Sequence, residues 1–397
     1  MQQNLLHKLF RYGILLLAVY SVEQSLRFSI GSFAIWSAFK MSMIWIMLRL
    51  WNKSYHPVQI ITWMLVVIIS CVSGVFIARD YWDYKELVNH SLNYSICLTA
   101  LVVCTPDILQ QVLSLLYKHI WKIFILLVLF LSSDGIAKFL VPFSFLALFY
   151  SLLDNRYRKY IWIAFLITVF LGYDGRSETI KFSFCIGLGY MVNRMDVLGY
   201  IRKLYWIFFI LPFILFTLAA TGTFNIFKIG EELNLSGNSR LNTIDTRTLL
   251  YEEVISTSLD RKTVLFGNTP ARGYISEWMS KTDDQSEIMG EIHYGERGGT
   301  ESSVLNVFMH FGILGMIVYL ILFFSASFLA IFRSNSSYLP IVGCYLAFRY
   351  LMGWIEDFTN FDINMFFIWT MIGICYSPYF REMDDDDFVN WFNEIVP

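Results

Sequence analysis

A few charged residues interrupt the long apolar stretches of this sequence, and their types suit the handling of a phosphate and a hydroxyl group. Arg176 follows the glycine pair of Gly172–Gly175, and Arg247 opens a segment with helical spacing of apolar residues. A guanidinium group donates two hydrogen bonds at once to a phosphate. Glu301 directly precedes another apolar stretch, where its carboxylate could take the proton of a hydroxyl group. We predict that these three side chains converge on one pocket.

Each of these residues also has a purely structural explanation. Arg176 could be an interface residue or the partner of a neighbouring acid such as Glu178. Arg247 could pair with Glu252, although a cation in the first turn of a helix works against the helix dipole. Glu301 could simply cap a helix, since negative charge is favoured at a helix start. The sequence leaves both explanations open for all three residues.

Further polar residues near these positions are candidates for contacting a substrate. His310 lies nine residues after Glu301, where it is either a satisfied core histidine or part of a cavity. The adjacent acids Glu356 and Asp357 are either solvated or in contact with substrate hydroxyl groups. We assign substrate binding to Arg240, Arg272, Glu178, Asn306, His310 and Glu356.

The sequence lacks the motifs of several enzyme classes. It contains no GxxxxGK[ST], HExxH or GxSxG pattern. Asp-x-Asp arrangements occur only in the run Asp384–Asp387, so we predict no metal site and no cofactor. The six cysteines lie in apolar stretches without a CxxC pair, which predicts small buried side chains. A net charge of −2 gives no reason to expect a nucleic-acid partner.

The elements that must position these residues are membrane helices. The chain is 56% apolar and only 16% charged, and apolar stretches of roughly 17–25 residues recur along it. Apolar spans must be helical, because lipid offers no partner for an open backbone group. We therefore predict an all-α polytopic membrane protein of about twelve helices. They cover approximately residues 10–26, 31–50, 58–78, 91–106, 119–133, 135–153, 160–173, 179–194, 204–222, 303–332, 338–355 and 361–380.

One polar segment divides this bundle. We predict helices one to nine in residues 1–222, a large loop in residues 223–302, helices ten to twelve in residues 303–380 and an acidic tail in residues 381–397. Within the loop, apolar spacing over Asp245–Ile255 predicts an amphipathic helix that lies on the mouth of the bundle. The tail is predicted to be a solvated acidic end.

The distribution of lysine and arginine predicts the orientation. If the amino terminus lies inside, most of the basic residues in short loops lie on the cytoplasmic side. Both termini are then cytoplasmic and the large loop is extracytoplasmic. The amino-terminal stretch has no small-residue cleavage pattern, so we interpret it as the first span. The basic residues on the cytoplasmic side are Lys8, Arg11, Arg49, Lys53, Lys118, Lys122, Arg156, Arg158, Lys159, Arg194, Arg202, Lys203, Arg333 and Arg381.

Three stretches of the sequence resemble a known family. They are the glycine-flanked arginine in Gly172–Ser177, the segment from Arg247 to the Leu265-Phe266-Gly267 turn, and the segment from Glu301 to Gly315, which ends in Gly-x-x-Gly. An external turn, a large external loop and a polar-headed helix in this order are similar to the O-antigen polymerase and ligase family (Wzy-like and WaaL-like proteins). The topology covers the whole chain, and the motifs cover about sixty residues.

The resemblance implies glycan transfer on the outer face of the bacterial cytoplasmic membrane. A glycan would move from an undecaprenyl diphosphate carrier to an acceptor sugar hydroxyl without metal or nucleotide. Arg176 and Arg247 would hold the donor diphosphate, and Glu301 would be the general base. In the ligases a His-Asn pair heads the last of these segments, whereas here Glu301 and Ser302 stand there. This difference favours a polymerase for O-antigen, capsule or exopolysaccharide, with an O-antigen ligase as the alternative.

The chemistry implied by the resemblance needs little from the protein. A lipid diphosphate is a good leaving group, so charge neutralisation, orientation and removal of one proton are sufficient. A single displacement would invert the anomeric carbon, and a covalent intermediate stays open. The expected partners are undecaprenyl-diphosphate-linked oligosaccharides, with a chain-length regulator and a flippase of the same pathway.

Two rival functions come from other readings of the charges. A lipid-linked oligosaccharide flippase or other transporter would show two similar halves and polar residues near the midplane, and neither is clear in the sequence. A different membrane glycosyltransferase would use an acid in an early external loop, such as Glu23 or the pair Asp80 and Asp83.

Overall fold

The computed structural model describes residues 2–23, 32–53, 55–173, 175–192, 197–221, 246–276, 292–293 and 295–396. Helices make up 76% of the described residues. The described part is therefore mostly helical, which is compatible with the predicted fold class.

The helices before residue 222 form the first part of the bundle. They are α1 (Gln2–Tyr20), α2 (Phe33–Leu50), α3 (Val58–Ile77), α4 (Tyr81–Tyr94), α5 (Thr99–Val102), α6 (Pro106–Leu127), α7 (Ser133–Phe139), α8 (Val141–Ala147), α9 (Asn155–Phe170), α10 (Arg176–Met191) and α11 (Val197–Ala220). A 3-10 turn over Ser95–Leu98 joins α4 to α5.

The remainder of the described chain begins with a helix and a small sheet and then returns to the bundle. Its elements are α12 (Thr246–Asp260), β1 (Tyr274–Ile275), β2 (Ile292–His293), β3 (Glu296–Arg297), α13 (Ser303–Phe332), α14 (Leu339–Met352), α15 (Ile363–Tyr376), α16 (Pro378–Glu382) and α17 (Asp385–Asn393). In the sheet, β3 pairs in antiparallel fashion with both β1 and β2. The predicted helix over Asp245–Ile255 corresponds to α12 and is confirmed as a helix.

Four described helices are long and apolar enough to cross a membrane. They are α2, α3, α11 and α13, and a fifth span is possible if the segment from α4 to α6 is counted as one. The shorter helices α14 and α15 are also apolar. These lengths are compatible with an all-α membrane protein. The number of twelve spans and the extracytoplasmic loop stay predictions.

Three of the predicted spans differ from the observed helices, and a proline stands at each of the two breaks. The chain bends by 117° between Val102 and Pro106, so the predicted spans 91–106 and 119–133 become two arms of a broken element. Pro106 stands at the start of α6, where its missing N–H costs nothing. The predicted span 135–153 is divided into α7 and α8, with Pro142 in the first turn of α8.

The centre of the bundle is formed by α14 and α15. Almost every residue of both helices is buried, and both pack against α13. A helix that is apolar on all sides belongs inside a protein rather than at its surface. Their short length and complete burial place the connection between them, residues 353–362, among the surrounding helices.

A break in α13 ties the segment after α12 to the bundle. Gly312 has φ 66° and ψ −165°, so the helix is interrupted there. The backbone N–H of Ile313 donates to the Val264 carbonyl at 2.9 Å, and that of Asn268 donates to the Met309 carbonyl at 2.7 Å. Backbone groups that lose their helical partners need others, and residues 263–268 supply them.

Two glycines make this contact possible. Gly267 and Gly312 both have positive φ angles, which side chains disfavour. A Cβ at Gly312 would lie 2.4 Å from the Leu265 carbonyl carbon, and a Cβ at Gly267 would lie 2.4 Å from that of His310. The Phe-Gly turn and the Gly-x-x-Gly segment recognised in the sequence are therefore two sides of one backbone contact.

The acidic tail contains a docked helix. Asp384 caps α17 by accepting a hydrogen bond from the Asp387 backbone N–H at 2.9 Å. Phe388 and Phe392 are buried against Phe149, while residues 384–387 are exposed. The four aspartates predicted to be solvated are exposed, and the apolar face of the same helix packs on the bundle.

Candidate functional site

The candidate site surrounds the connection between α14 and α15. We call residues 353–362 the central loop. It carries three acids, Glu356, Asp357 and Asp362. Asp362 also caps α15 by accepting a hydrogen bond from the Met365 backbone N–H at 2.7 Å.

The three segments singled out in the sequence meet at this loop. From α10, the Ser177 hydroxyl donates to Glu356 Oε1 at 3.3 Å. From α13, the Ser303 backbone N–H donates to the Glu356 carbonyl at 3.0 Å. From α12, the Tyr251 hydroxyl donates to the Trp354 carbonyl at 2.7 Å. Segments that are distant in sequence are thus fastened to two residues of one loop.

The start of α13 is held to the same loop by serine and asparagine side chains. Ser302 caps the helix by accepting a hydrogen bond from the Leu305 backbone N–H at 3.3 Å, and its hydroxyl donates to the Gly353 carbonyl at 3.1 Å. Asn306 accepts from the Thr300 backbone N–H at 2.7 Å and donates to the Thr300 carbonyl at 3.1 Å. Asn306, predicted to bind substrate, therefore holds the turn before the helix.

A buried charge network joins α10 to the central loop. The Lys181 ammonium lies 2.6 Å from Glu178 Oε1 and 2.5 Å from Glu356 Oε1. The side chain of Lys181 has no exposed surface, and Glu178 is 8% exposed. Arg349 of α14 is also buried, with its guanidinium 4.8 Å from the centre of the Phe358 ring. Glu178 and Glu356, both predicted to bind substrate, are paired inside the protein.

This network determines the ionisation of Glu356. Burial alone would raise the pKa of its carboxyl group. The nearby positive charges of Lys181 and Arg349 outweigh burial and hold the pKa of Glu356 below its ordinary value. Glu356 is therefore a carboxylate at neutral pH and balances Lys181.

A polar cavity of about 310 Å³ opens beside the central loop. Aromatic, amide and charged side chains from the early helices and the central loop surround it. Its lining residues are Tyr20, Ser21, Glu23, Phe33, Trp36, Ser37, Lys40, Asn89, Lys138, Glu178, Glu356, Asp357, Asn360, Asp362, Ile363 and Asn364. We call it the polar cavity.

Lys40 is the most deeply placed cation of the polar cavity. It is only 4% exposed, although it lies in the apolar helix α2. Its ammonium donates to Asn93 Oδ1 at 2.8 Å and to Asn89 Oδ1 at 3.3 Å, and lies 5.2 Å from the centre of the Tyr20 ring. A lysine at this depth is held by amides and a ring face, which satisfy it without neutralising its charge.

The two aspartates of the central loop have altered pKa values. Burial raises the pKa of Asp362 to about 6. Burial also raises the pKa of Asp357, against the hydrogen bonds that it accepts from Thr359. The carboxyl groups of Asp357 and Asp362 thus lose their protons less readily than the carboxyl group of Glu356.

An apolar groove of about 400 Å³ adjoins the first residues of the central loop. It runs between α11, α12 and the end of α14, and Trp354 and Ile355 form its wall next to Glu356. We call it the apolar groove. Its lining residues are Leu211, Pro212, Leu215, Phe216, Ala219, Thr248, Tyr251, Glu252, Ile255, Leu351, Met352, Trp354 and Ile355.

A second group of charges lies in the segment between α12 and α13. Glu296 of β3 is 8% exposed and contacts Arg79 at 3.2 Å, Arg261 at 2.9 Å and Arg272 at 2.5 Å. Arg79 also binds Asp83 at 2.8 Å. We call these five residues the arginine cluster. Arg272, predicted to bind substrate, is engaged here by both of its hydrogen bonds to Glu296.

Arg176 is the first residue of α10, and its side chain is exposed rather than buried among the helices. The two glycines of the turn, Gly172 and Gly175, allow close packing against Ala137. A Cβ at Gly175 would lie 2.5 Å from the Cβ of Ala137, and one at Gly172 would lie 3.0 Å from it. The inward residues of this helix start are Glu178 and Lys181.

The other predicted catalytic residues lie at the edge of the site. Glu301 is 55% exposed and lies 3.6 Å from Arg297. Arg247 lies in the first turn of α12, one turn before Tyr251, and its side chain is outside the described part. Arg240 also lies outside the described residues. The structure thus brings the backbone segments of Glu301 and Arg247 together at the central loop, and the roles of all three side chains stay predictions.

His310 is buried in the bundle below the start of α13. It is 1% exposed, and its Nδ1 lies 2.9 Å from the Tyr94 hydroxyl. Its ring centre is 4.6 Å from that of His90. A bonded, buried histidine is one of the two alternatives that the sequence left open for this residue.

Several residues of the site were not singled out from the sequence. Lys40 and Arg349 are single charges inside apolar helices, a pattern that marks functional candidates. Lys181 follows Glu178 by three residues, which is the spacing of a helical ion pair. These signals were readable, but the assignment of their partners required the fold.

The described residues contain no group of three or more metal-type ligands, and their six cysteines are free. Protein-family models, curated proteins and solved structures were compared with the chain, and none of them matches it.

Proposed function

We propose that the protein is a membrane-embedded polysaccharide polymerase that joins lipid-linked repeat units. The observation that carries the proposal is the convergence of α10, α12 and the start of α13 on the central loop. This loop contributes lining residues both to the apolar groove and to the polar cavity. A substrate made of a lipid and a glycan needs both environments next to each other.

The reaction would be a direct glycosyl transfer. The bond between the donor sugar carbon C1 and the diphosphate oxygen breaks, and its electron pair leaves with undecaprenyl diphosphate. A bond forms between C1 and the acceptor hydroxyl oxygen, and the hydroxyl proton passes to a carboxylate. No nucleotide and no redox partner is needed for this balance.

The donor would lie along the apolar groove. Its polyprenyl chain would contact Leu215 and Phe216, which line the groove. Arg176 at the exposed start of α10 and Arg247 in the first turn of α12 would bind the diphosphate. A cation aimed at the developing charge contributes about 100- to 1,000-fold to the rate in comparable sites.

The acceptor glycan would occupy the polar cavity. Glu301 would be the general base, because it is an accessible carboxylate whose helix start is fastened to the central loop. Glu356 is less suited to this role, since Lys181 holds it as an ion pair. The localisation that follows is a bacterial cytoplasmic membrane with both termini inside, next to a flippase and a chain-length regulator.

The proposal is tested by the chain length of the surface glycan. A strain lacking the gene should carry single repeat units, and the intact gene should restore the ladder of longer chains. Arg176→Ala should fail to restore it at equal protein level. Arg156→Ala is the matched control, since Arg156 is an exposed arginine at the start of α9. Full ladders with Arg176→Ala would contradict the proposal, and so would a strain whose ladder survives deletion.

A transporter of lipid-linked glycans is the second candidate function. The observation in its favour is the pair of fully or nearly buried lysines, Lys40 and Lys181, since ionisable groups inside membrane bundles often mark transport pathways. A deletion strain would then accumulate its lipid-linked unit on the inner face of the membrane. If the protein were an O-antigen ligase, the deletion strain would instead retain the finished polymer on its lipid carrier.

A further inference from the structure

The polar cavity is unusually acidic for a space enclosed by membrane-type helices. Five carboxyl-bearing side chains and two lysines are among the described residues that line it. The acidic members are Glu23, Glu178, Glu356, Asp357 and Asp362, and the lysines are Lys40 and Lys138.

Part of this charge is balanced within the protein. Lys181 lies between Glu178 and Glu356, and the buried Arg349 adds a second positive charge near these two glutamates. Lys138 lies 2.7 Å from Asp134, which is outside the cavity lining, so its charge is already matched. Lys40 bonds to amides, and its positive charge is opposed by Asp357 and Asp362 on the central loop. Among the described residues that line the cavity, carboxyl groups therefore remain in excess over cations.

The remaining lining is suited to a sugar ring. Tyr20 and Trp36 lie side by side with ring centres 4.6 Å apart, and Phe33 lines the same wall. Aromatic faces pack on the apolar face of a ring, while amides and carboxylates such as Asn360 and Asp357 bind hydroxyl groups.

Trp36 supplies an independent indication of a ligand. It is 8% exposed, and its indole N–H donates to no group within the described part of the chain. A buried donor without an acceptor destabilises the folded protein, because the donor has lost its hydrogen bond to water. An acceptor oxygen in the cavity that Trp36 lines would remove this destabilisation.

We propose that the polar cavity binds a glycan unit that carries no carboxylate, sulfate or phosphate, and that its acidic wall excludes anionic glycans. This inference rests on the proposed function, and it names the class of acceptor. A carboxylated sugar in this space would face Asp357 and Asp362, and such like-charge contacts oppose binding.

The experiment is a glycan array probed with the purified full-length protein in lipid nanodiscs at pH 7.5. The bound glycans should be uncharged or amino-bearing, and matched glycans with uronic acids should bind at least about 10-fold more weakly. A blank array, or a set of bound glycans dominated by anionic ones, would overturn the assignment.

Two substitutions connect the binding to the cavity. Trp36→Phe keeps the ring but removes the N–H donor, so binding of the preferred glycan should weaken by about 5- to 10-fold. Trp45→Phe is the matched control, because Trp45 lies on the same helix and is 51% exposed. Equal effects of the two substitutions would contradict the cavity assignment.

Removal of the acidic wall should change the selectivity. Asp357→Asn combined with Asp362→Asn keeps the side-chain hydrogen-bond acceptors and removes two negative charges. Carboxylated glycans should then gain about 10-fold or more in binding. No gain would mean that the wall does not select by charge.

The two proposals can fail separately. A blank array together with loss of the polymer ladder on gene deletion leaves the polymerase and removes the cavity assignment. Selective binding of uncharged glycans, together with a polymer ladder that survives gene deletion, keeps the cavity assignment and removes the polymerase. This result would point to glycan binding without polymerisation.

Discussion

The polar cavity and the arginine cluster use similar side chains in opposite proportions. In the cavity, carboxyl groups outnumber lysines and a buried lysine bridges two glutamates. In the arginine cluster, three arginines surround Glu296 and only Asp83 adds a second carboxylate. One region therefore presents mostly carboxyl groups, and the other presents mostly guanidinium groups.

The helix α4 connects these two regions. Asp83 in its first turn binds Arg79 of the arginine cluster, and Asn89 contacts Lys40 in the polar cavity. Six residues of helix span about 9 Å. The carboxyl-rich polar cavity and the guanidinium-rich arginine cluster therefore lie about 9 Å apart along α4, which is the length of one or two sugar units. This spacing suits a substrate that has a charged part and an uncharged part.

The largest expected effect comes from removing the central cation of the buried network. Lys181→Met leaves Glu178 and Glu356 without their partner, and breaking a buried pair typically costs about 3–5 kcal/mol. The unfolding temperature of the protein in detergent or nanodiscs should fall steeply, with reduced amounts in the membrane.

Lys138→Met is the control for this prediction. Lys138 pairs with Asp134, but the two side chains are 50% and 43% exposed, so the cost should be about 0–1 kcal/mol. Similar losses for the two lysines would mean that the buried network adds nothing beyond a surface pair.

The next effect concerns the contact that holds the arginine cluster to the bundle. Gly312→Ala places a Cβ 2.4 Å from the Leu265 carbonyl carbon and forces alanine into a positive φ, at a cost of roughly 1–3 kcal/mol or more. Residues 263–268 should detach, which hydrogen exchange of that segment measures.

Gly187→Ala provides the comparison for the glycine substitution. Gly187 lies inside α10, and a Cβ there would meet no atom within 4 Å. Alanine favours helices over glycine, so this variant should be unchanged or slightly more stable. Protection of residues 263–268 that is equal in both variants would refute the importance of the glycine contact.

A smaller difference in stability is expected between substitutions of Arg272 in the arginine cluster and of the exposed Arg176. Arg272→Ala removes one of three partners of Glu296 and should destabilise the protein by about 1–3 kcal/mol. Arg176→Ala lies at an exposed helix start and should change stability by less than about 0.5 kcal/mol, while abolishing polymer formation. Thermal unfolding and glycan chain length, measured on both variants, separate structure from function. An unstable Arg176→Ala protein would undo this distinction.

The smallest effect is a pH dependence from Asp362. Its pKa of about 6 lies above the unfolded value of 3.8, so the folded state binds the proton more tightly. Stability should therefore rise as pH falls through 6, by about 1 kcal/mol between pH 7 and pH 5. Asp362→Asn should remove this increment, since asparagine can still cap α15.

The measurement for Asp362 is the difference in unfolding temperature between the two proteins at pH 7 and at pH 5. Other titrating groups are common to both proteins and cancel in this difference. Parallel pH profiles of the two proteins would show that Asp362 does not carry the effect.

The apolar composition was sufficient to predict a mostly helical protein, and the spacing of apolar residues was sufficient to predict the helix α12. Long apolar stretches leave helices as the only stable choice in lipid, and the spacing of Leu250 and Val254 indicated a helix with one buried face. The helix breaks at Pro106 and Gly312 were harder to predict from the sequence. A proline or a glycine is tolerated inside many membrane helices, so its effect depends on which backbone supplies the missing hydrogen bonds.

The candidate site could be predicted in part. The segments around Arg176, Arg247 and Glu301 do meet, but the charged residues at their junction are Lys181, Glu178 and Glu356. The link between Lys181 and Glu356 spans 175 positions of the sequence. A contact over that distance follows from the packing of α10 on α14, which periodicity does not reveal.

The most direct test of the account is polymerisation by the purified protein. Lipid-linked repeat units that accumulate in the deletion strain would be incubated with the protein in liposomes that contain a metal chelator. The account predicts a ladder of longer glycans, with one undecaprenyl diphosphate released for each bond formed, and no ladder with Arg176→Ala. Movement of the lipid-linked unit across the bilayer without new glycosidic bonds would contradict it.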